Sequence, residues 1–452
     1  MLALRLTRGS HPAVQLRRLL VAVASAGTGF LLLCTLGYAM GHPDSPAAAA
    51  LRLAWCATPL AATVYFAVAV ARTDPATKPR PGLSAIGLGP GRLMAISATT
   101  TALACTLGSM LALLFFLHLR GDLTGMPFDG AAAEFLASDT PLPLPAALTL
   151  LAIVPATASL SVALTLRPKD TSPKGAPRSY GRFGAYGRSG TRETFGTYGR
   201  FGAHLRTGSR KAEVEETPAP APEPAADAEP TATVTVTGPV DLDPTRPPAP
   251  REVPKGLPWG VAVLAAGLAV EAYANRTADT DGLSMPGGHA GGPAGVLAGW
   301  VLTALGLALA GPGLTHLCGR LLQAVRPGAL RLLAGRVLME EATRIGRPLG
   351  VVCAVASGAY AMTALHDTDA AVGPLTTLGT LLVTGCTVAT LLTAAVEARQ
   401  SRADTTAALV RLGAPATVLR SAAALRAGAL LALFVPLTVV IAELAALPLA
   451  HR

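Results

Sequence analysis

The chain has 452 residues, 51% hydrophobic and only 14% charged, against the roughly 25% charged of an ordinary soluble domain. Aromatics make up 4%, so the apolar mass is Ala, Leu, Val and Gly, a mix that lets helix backbones approach closely in lipid. A net charge of +10 would suit nucleic acid, but the arginines flank apolar runs as membrane anchors do, which excludes nucleic acid as the main partner.

Roughly 20 apolar residues are needed to cross about 30 Å of hydrocarbon. Runs of that kind cover 19–40, 50–71, 93–119 and 142–166, then 257–274, 293–317, 348–365, 373–396 and 422–450. These about nine spans predict an all-α, polytopic transmembrane helical bundle. Arg17 and Arg18 precede the first run as in a signal peptide, but its apolar length exceeds the usual core of about 7–15 residues. An uncleaved first helix is expected. The six cysteines lie in or at the edge of apolar runs, with no CxxC, and read as small buried hydrophobes.

The loops assign an orientation. Arg5, Arg8, Arg17 and Arg18 precede the first span, and Arg72, Lys78, Arg80 and Arg92 follow the second. Arg320, Arg326, Arg331, Arg336, Arg344 and Arg347 precede the seventh; Arg399, Arg402, Arg411 and Arg420 precede the last. If the spans alternate, all fall on one side. The other side carries Asp122, Asp129, Glu134, Asp139, Asp279, Asp281, Asp367 and Asp369. Basic loops stay in the cytoplasm, so the N-terminus is expected there, in a cell-membrane, multi-pass protein.

Residues 167–256 break the pattern. The first half is basic and repeats Tyr-Gly-Arg-Phe-Gly-Ala at 180–185 and 198–203; the second is acidic and rich in Pro and Ala. Neither half holds enough apolar surface to offset its ordering entropy, so a disordered cytoplasmic linker is expected. Its aromatic–Gly–Arg repeat has the composition to stack on RNA, to hold anionic lipid head groups, or to serve as a solvated linker.

The two ends of the chain look alike. Leu333-Ala334-Gly335-Arg336-Val337-Leu338 leads through Arg344 and Arg347 into the seventh span, much as 4–8 leads through Arg17 and Arg18 into the first. Each reads as a basic, partly apolar helix in the interface. In the later copy Glu341 interrupts the apolar stripe. After the eighth span, 402–412 predicts a short helix. Gly413 suits the left-handed position that ends it, and Pro415 suits the first turn of the next helix. The product is a helix–turn–helix at the cytoplasmic face. Residues 83–93 form a weaker first copy of this motif.

Glu397-Ala398-Arg399-Gln400-Ser401-Arg402, continuing through Leu409-Val410-Arg411-Leu412-Gly413-Ala414, resembles the signature that follows a transmembrane helix in FtsX-like (MacB-type) ABC transporter permeases. The resemblance implies a two-repeat permease: 1–166 a first copy, 167–256 the linker, 257–318 a linking span pair and 319–452 a second copy. It implies a separate ABC ATP-binding subunit as partner, and export or mechanotransmission as function. The expected coupling residues are Arg336, Arg344, Arg399, Arg402, Leu409, Arg411, Leu412, Gly413 and Pro415. A homo-dimer and a pseudo-dimer within one chain are both compatible, and the repeat favours the second. The chain departs from the family in its short outer loops, 41–49 and 366–372, which leave no room for a substrate-gripping outer domain. A two-repeat member is expected to have ten spans, and no room for one is expected after Ala450.

No Gly-x-x-x-x-Gly-Lys-Ser/Thr loop is present, so the chain is not expected to hydrolyse ATP by a P-loop mechanism. No HExxH or nucleophile–base spacing points to a metal, a cofactor or an enzyme. Ionisable residues inside spans are functional candidates by default. Glu443 in the last span is the first of these, and Glu271 in the fifth is the second. A secondary transporter would need more such charges and broken helices. A scaffold recruiting partners through the 167–256 linker is the other alternative.

Overall fold

The structure is a computed structural model that describes residues 12–74, 89–123, 130–167, 254, 256–277, 294–324, 328–364 and 373–450. The chain divides into two units, Met1–Lys169 with Arg251–Arg452, and Asp170–Pro250. The second unit, which holds the Tyr-Gly-Arg repeat, lies outside the described residues, as do the weaker motif at 83–88 and Asp129, Asp279, Asp281, Asp367 and Asp369.

The described residues form helices and no strand. In chain order they are α1 (Pro12–Gly41), α2 (Pro46–Trp55), α3 (Ala57–Thr73), α4 (Pro90–Arg120), α5 (Leu144–Leu166), α6 (Gly256–Thr277), α7 (Ala294–Ala324), α8 (Ala329–Ala364), α9 (Pro374–Ser401), α10 (Ala403–Arg411) and α11 (Ala416–Ala450). The architecture is an all-α bundle. Eight stretches among the described residues are long and apolar enough to cross a membrane, α2 and α3 together forming one of them. The remaining expected span, 348–365, is the C-terminal half of α8. Its described part is bounded by Arg347, and Leu365 lies outside the described residues.

Two groups of helices share the core. In the first, α1, α3, α4 and α5 pack together around Val21, Phe66, Cys105 and Ala158. Small residues set the spacing of α1 and α4. A Cβ on Gly108 would lie 2.9 Å from Ser25 Cβ and 3.0 Å from Ala26 N. Hydroxyls cross between helices where lipid offers no partner. Ser25 donates to the Cys105 carbonyl at 2.9 Å, and Thr28 and Thr63 share a bond of 2.8 Å.

In the second group, α6 and α7 run antiparallel along a glycine seam. Facing pairs are Leu257/Gly313, Gly260/Ala310, Leu264/Gly306, Gly267/Thr303, Glu271/Gly299 and Ala274/Gly295. One member of every pair is glycine, so the other fills the notch. The seam continues onto α8, where Gly311 faces Gly346 and Gly319 faces Gly335. α11 closes this group, with Phe434 and Ile441 against Leu307 and Cys353.

The assignment of α9 is the unexpected feature. It belongs in sequence to the second copy but packs on α3 and α1 of the first, with Cys386 in the same core as Phe66. Its contact with α8 joins the two groups. Nor does α8 turn at Pro348, as an interfacial helix leading into a span would. It continues as one helix through that proline, its N-terminal half packed on the end of α7. The proline ring still removes the helix bond to the Arg344 carbonyl.

Candidate functional site

The helix–turn–helix forms at the expected residues. α10 runs from Ala403 to Arg411, with Arg402 as N-cap and Leu412 as C-cap. Gly413 adopts φ +88°, a left-handed conformation that glycine enters without a side-chain penalty. The Ala414 N–H bonds the Leu409 carbonyl and the Gly413 N–H bonds the Val410 carbonyl, both at 3.0 Å. These two bonds make a Schellman stop. Pro415 stands one place before α11, and its carbonyl accepts from Val418 at 3.0 Å. It therefore occupies the capping position rather than the first turn. The turn bridges α9, seated in the first group, and α11, seated in the second.

The turn is apolar and open. Leu412 is 84% exposed and Val410 53%. Leu409 is half-buried, while Arg399, Arg411, Gly413 and Pro415 are exposed.

Behind the turn lies a cluster of charges from three helices. Arg402 Nε is 2.6 Å from Glu341 Oε1, and the Glu341 side chain is 7% exposed. The Arg402 Nε–H itself points to the Ala398 carbonyl at 3.0 Å. The pair is therefore held by charge, and Glu341 Oε1 accepts no hydrogen bond. One turn along α8, Arg344 Nε lies 3.7 Å from Glu397 Oε1, and Arg344 Nη1 donates to Ser401 Oγ at 2.9 Å. Arg426 of α11 adds its field to Glu341. Glu341 lies in the half of α8 before the apolar stretch. Burial pushes its carboxyl above the ordinary value of 4.5, while Arg402, Arg426 and Arg344 pull it back and Glu340 raises it further.

The cluster thus ties α8 to α9 where the two helix groups meet, with the turn directly beside it. Chemically it is an electrostatic latch. It holds no nucleophile–base pair, and among the described residues no group of three or more His, Cys, Asp or Glu is placed to hold a metal. All six cysteines are free and buried.

No family model, curated protein or solved structure matches this chain. The site is read from its own geometry.

Of the residues expected at the coupling site, Arg344 and Arg402 enter the latch, and Leu409, Arg411, Leu412, Gly413 and Pro415 build the turn. Arg336 is exposed on α8 and makes no part of the latch. Arg399 contributes its carbonyl, which accepts from the Arg402 N–H at 3.3 Å. The acids Glu341 and Glu397, with Ser401 and Arg426, were missed by the sequence reading. The signal for Glu341 was present as an interruption of the apolar stripe. The buried stripe of α8 is in fact Ala334, Leu338, Glu341 and Ala342, so Glu341 lies on the packed face, opposite a cation.

The two intramembrane acids diverge. Glu443 is exposed and accepts from the Tyr360 hydroxyl at 2.7 Å. It stands about 25 Å along α11 from Arg426, at 1.5 Å per residue. Glu271 is 1% exposed and packed inside the glycine seam.

Proposed function

We propose that the chain is a permease-type membrane subunit that a separate ATP-binding subunit drives through the α10 turn. The observation that carries this reading is the position of the turn. It is the exposed link between a helix of the first group and a helix of the second. A push on Leu412 acts on α9 and α11 at once, and so on the boundary between the groups.

The latch beside the turn gives that push two arrangements to choose between. With Glu341 on Arg402 and Arg344 on Glu397, α8 and α9 are held together at this end. Displacing α9 separates charges in a partly buried setting, where an unpaired carboxylate costs several times what it does in water. Movement is then passed along α8 and α9 to the far face, which fits export or mechanotransmission. The resemblance of 397–414 to FtsX-like permeases supports the same reading. The seating of α9 among first-copy helices favours one chain acting as a pseudo-dimer. The turn and the latch would lie on the cytoplasmic side of the cell membrane, since they carry the basic end of the helices.

Because every natural cysteine is buried, Leu412→Cys supplies a single reactive surface thiol for the test. A cross-linker attached there in native membranes is expected to capture an ATPase with a P-loop, and Leu412→Asp in the otherwise natural protein is expected to abolish co-purification of that ATPase. Capture of a protein with no nucleotide-binding site, at full yield, would replace the permease reading with that of a scaffold.

A further inference from the structure

We infer that Arg17 and Arg18 of α1, with Thr73 and Asp74 at the end of α3, form a second latch. It duplicates the one that joins α8 to α9, and the two open and close together through the packed pair α3 and α9. This needs no partner protein, so it stands or falls apart from the function proposed for the α10 turn.

The duplication is visible in the polar contacts. Arg17 Nη1 donates to Thr73 Oγ1 at 3.3 Å across 56 residues of chain, and Arg344 Nη1 donates to Ser401 Oγ at 2.9 Å across 57. Thr73 is the last residue of α3, and Ser401 is the last of α9. Each hydroxyl donates in turn to a backbone carbonyl of its own helix, Thr73 to Val70 at 2.9 Å and Ser401 to Ala398 at 3.0 Å. Further along, Ser25 of α1 donates to the Cys105 carbonyl of α4 across 80 residues, and Cys353 of α8 to the Phe434 carbonyl of α11 across 81. One shift along the chain, constant to within one residue either way, carries every member of the first set onto the second. The crossings of α1 with α3 and α4 thus match those of α8 with α9 and α11.

The same shift places Asp74, the C-cap of α3, on Arg402, the C-cap of α9. Each is ion-paired to the first helix of its own set, Asp74 to Arg18 and Arg402 to Glu341. The signs are reversed. In the second latch the base stands at the helix C-terminus, where the backbone carbonyls favour it. In the first latch the acid stands there, and the field of its own helix works against it. The cations of α1 are what hold it.

The two latched ends belong to helices that touch. α3 and α9 share one core, which holds Phe66 and Cys386, and Thr63 Oγ1 lies 3.9 Å from Cys386 Sγ. Close-packed interiors have few voids to absorb a shift, so they transmit it. Release of either helix end therefore loosens the other.

The test is hydrogen–deuterium exchange, read by mass spectrometry on the full chain in lipid nanodiscs. Arg18→Ala is expected to speed exchange in peptides covering 68–74. It should also speed exchange at 396–402 by about twofold or more, the lower end of the coupling between packed neighbours. Arg344→Ala is expected to act in reverse, on 396–402 first and on 68–74 with it, as linkage requires. Arg18→Asp combined with Asp74→Arg gives the first latch the polarity of the second, and should return both segments to the natural rate. Peptides from α6 report overall stability. Faster exchange at 68–74 alone in Arg18→Ala would overturn the coupling, and no change there would overturn the latch. Faster exchange throughout, α6 included, would equally overturn the proposal, because it reports a general loss of stability.

Discussion

Glu341 and Arg402, far apart in sequence, meet at 2.6 Å where α8 crosses the end of α9. The acid is almost wholly buried and the base is about a quarter exposed. With Arg344 on Glu397 and Ser401, the pair ties the second helix group onto a helix that the first group has taken in. Its worth depends on both members being present, since either charge alone would be left in a poorly solvated place.

Arg402→Ala is expected to destabilise the protein by about 1–3 kcal/mol, the range for orphaning a buried polar group. Glu341→Gln is expected to cost less, because it removes the charge that needs a partner. The double variant should then fall short of the sum by about 0.5–3 kcal/mol, as coupled neighbours do. Denaturant unfolding of the full chain in detergent measures the cycle. A coupling of zero would reduce the pair to a surface contact.

Glu341 also predicts a pH dependence. Its folded value is raised above the ordinary 4.5 by burial. A group of this kind contributes stability that is fully present below the unfolded value and is lost as pH rises through the folded one. Its share of stability should therefore fall as pH climbs from about 4.5 through the raised value, and stay level above it. Glu341→Gln should flatten that slope in a plot of Tm against pH. Arg402→Ala removes a charge that holds the value down, and should move the window to higher pH.

Gly413 offers a backbone test of the turn. A Cβ there would meet nothing within 4 Å, so only the conformation at φ +88° resists substitution. Gly413→Ala is expected to cost about 1–2 kcal/mol, and Gly413→Asn less, since Asn tolerates the left-handed region. Both can be read by thermal unfolding. The same order should hold for cross-linking yield at Leu412→Cys, if the turn is what the partner grips.

The glycine seam predicts a contrast between two chemically identical changes. A Cβ on Gly306 would lie 2.7 Å from Leu264 Cβ, whereas one on Gly385 would meet nothing within 4 Å. Gly306→Ala is expected to cost about 1–3 kcal/mol through overpacking, and Gly385→Ala to stay within about 0.5 kcal/mol. Equal effects on unfolding would show that α6 and α7 are not in backbone contact.

Much of this protein is local, and so legible in its sequence. Apolar runs long enough for a bilayer marked the helices, because hydrocarbon rejects unpaired backbone whatever the neighbours are. Gly413 and Pro415 marked the turn, because the left-handed stop and the missing N–H are properties of single residues. What the sequence left open was pairing. Lipid gives no hydrophobic preference for one apolar helix over another, so the seating of α9 with α1 and α3 depended on small residues and hydroxyls distributed along distant helices. The same holds for the acids. Glu341 interrupted a stripe and Glu271 interrupted a span. Only the tertiary structure, by placing Arg402 opposite one and Gly299 and Trp300 against the other, decided that the first is latched by a cation and the second left with an unpartnered oxygen in the seam.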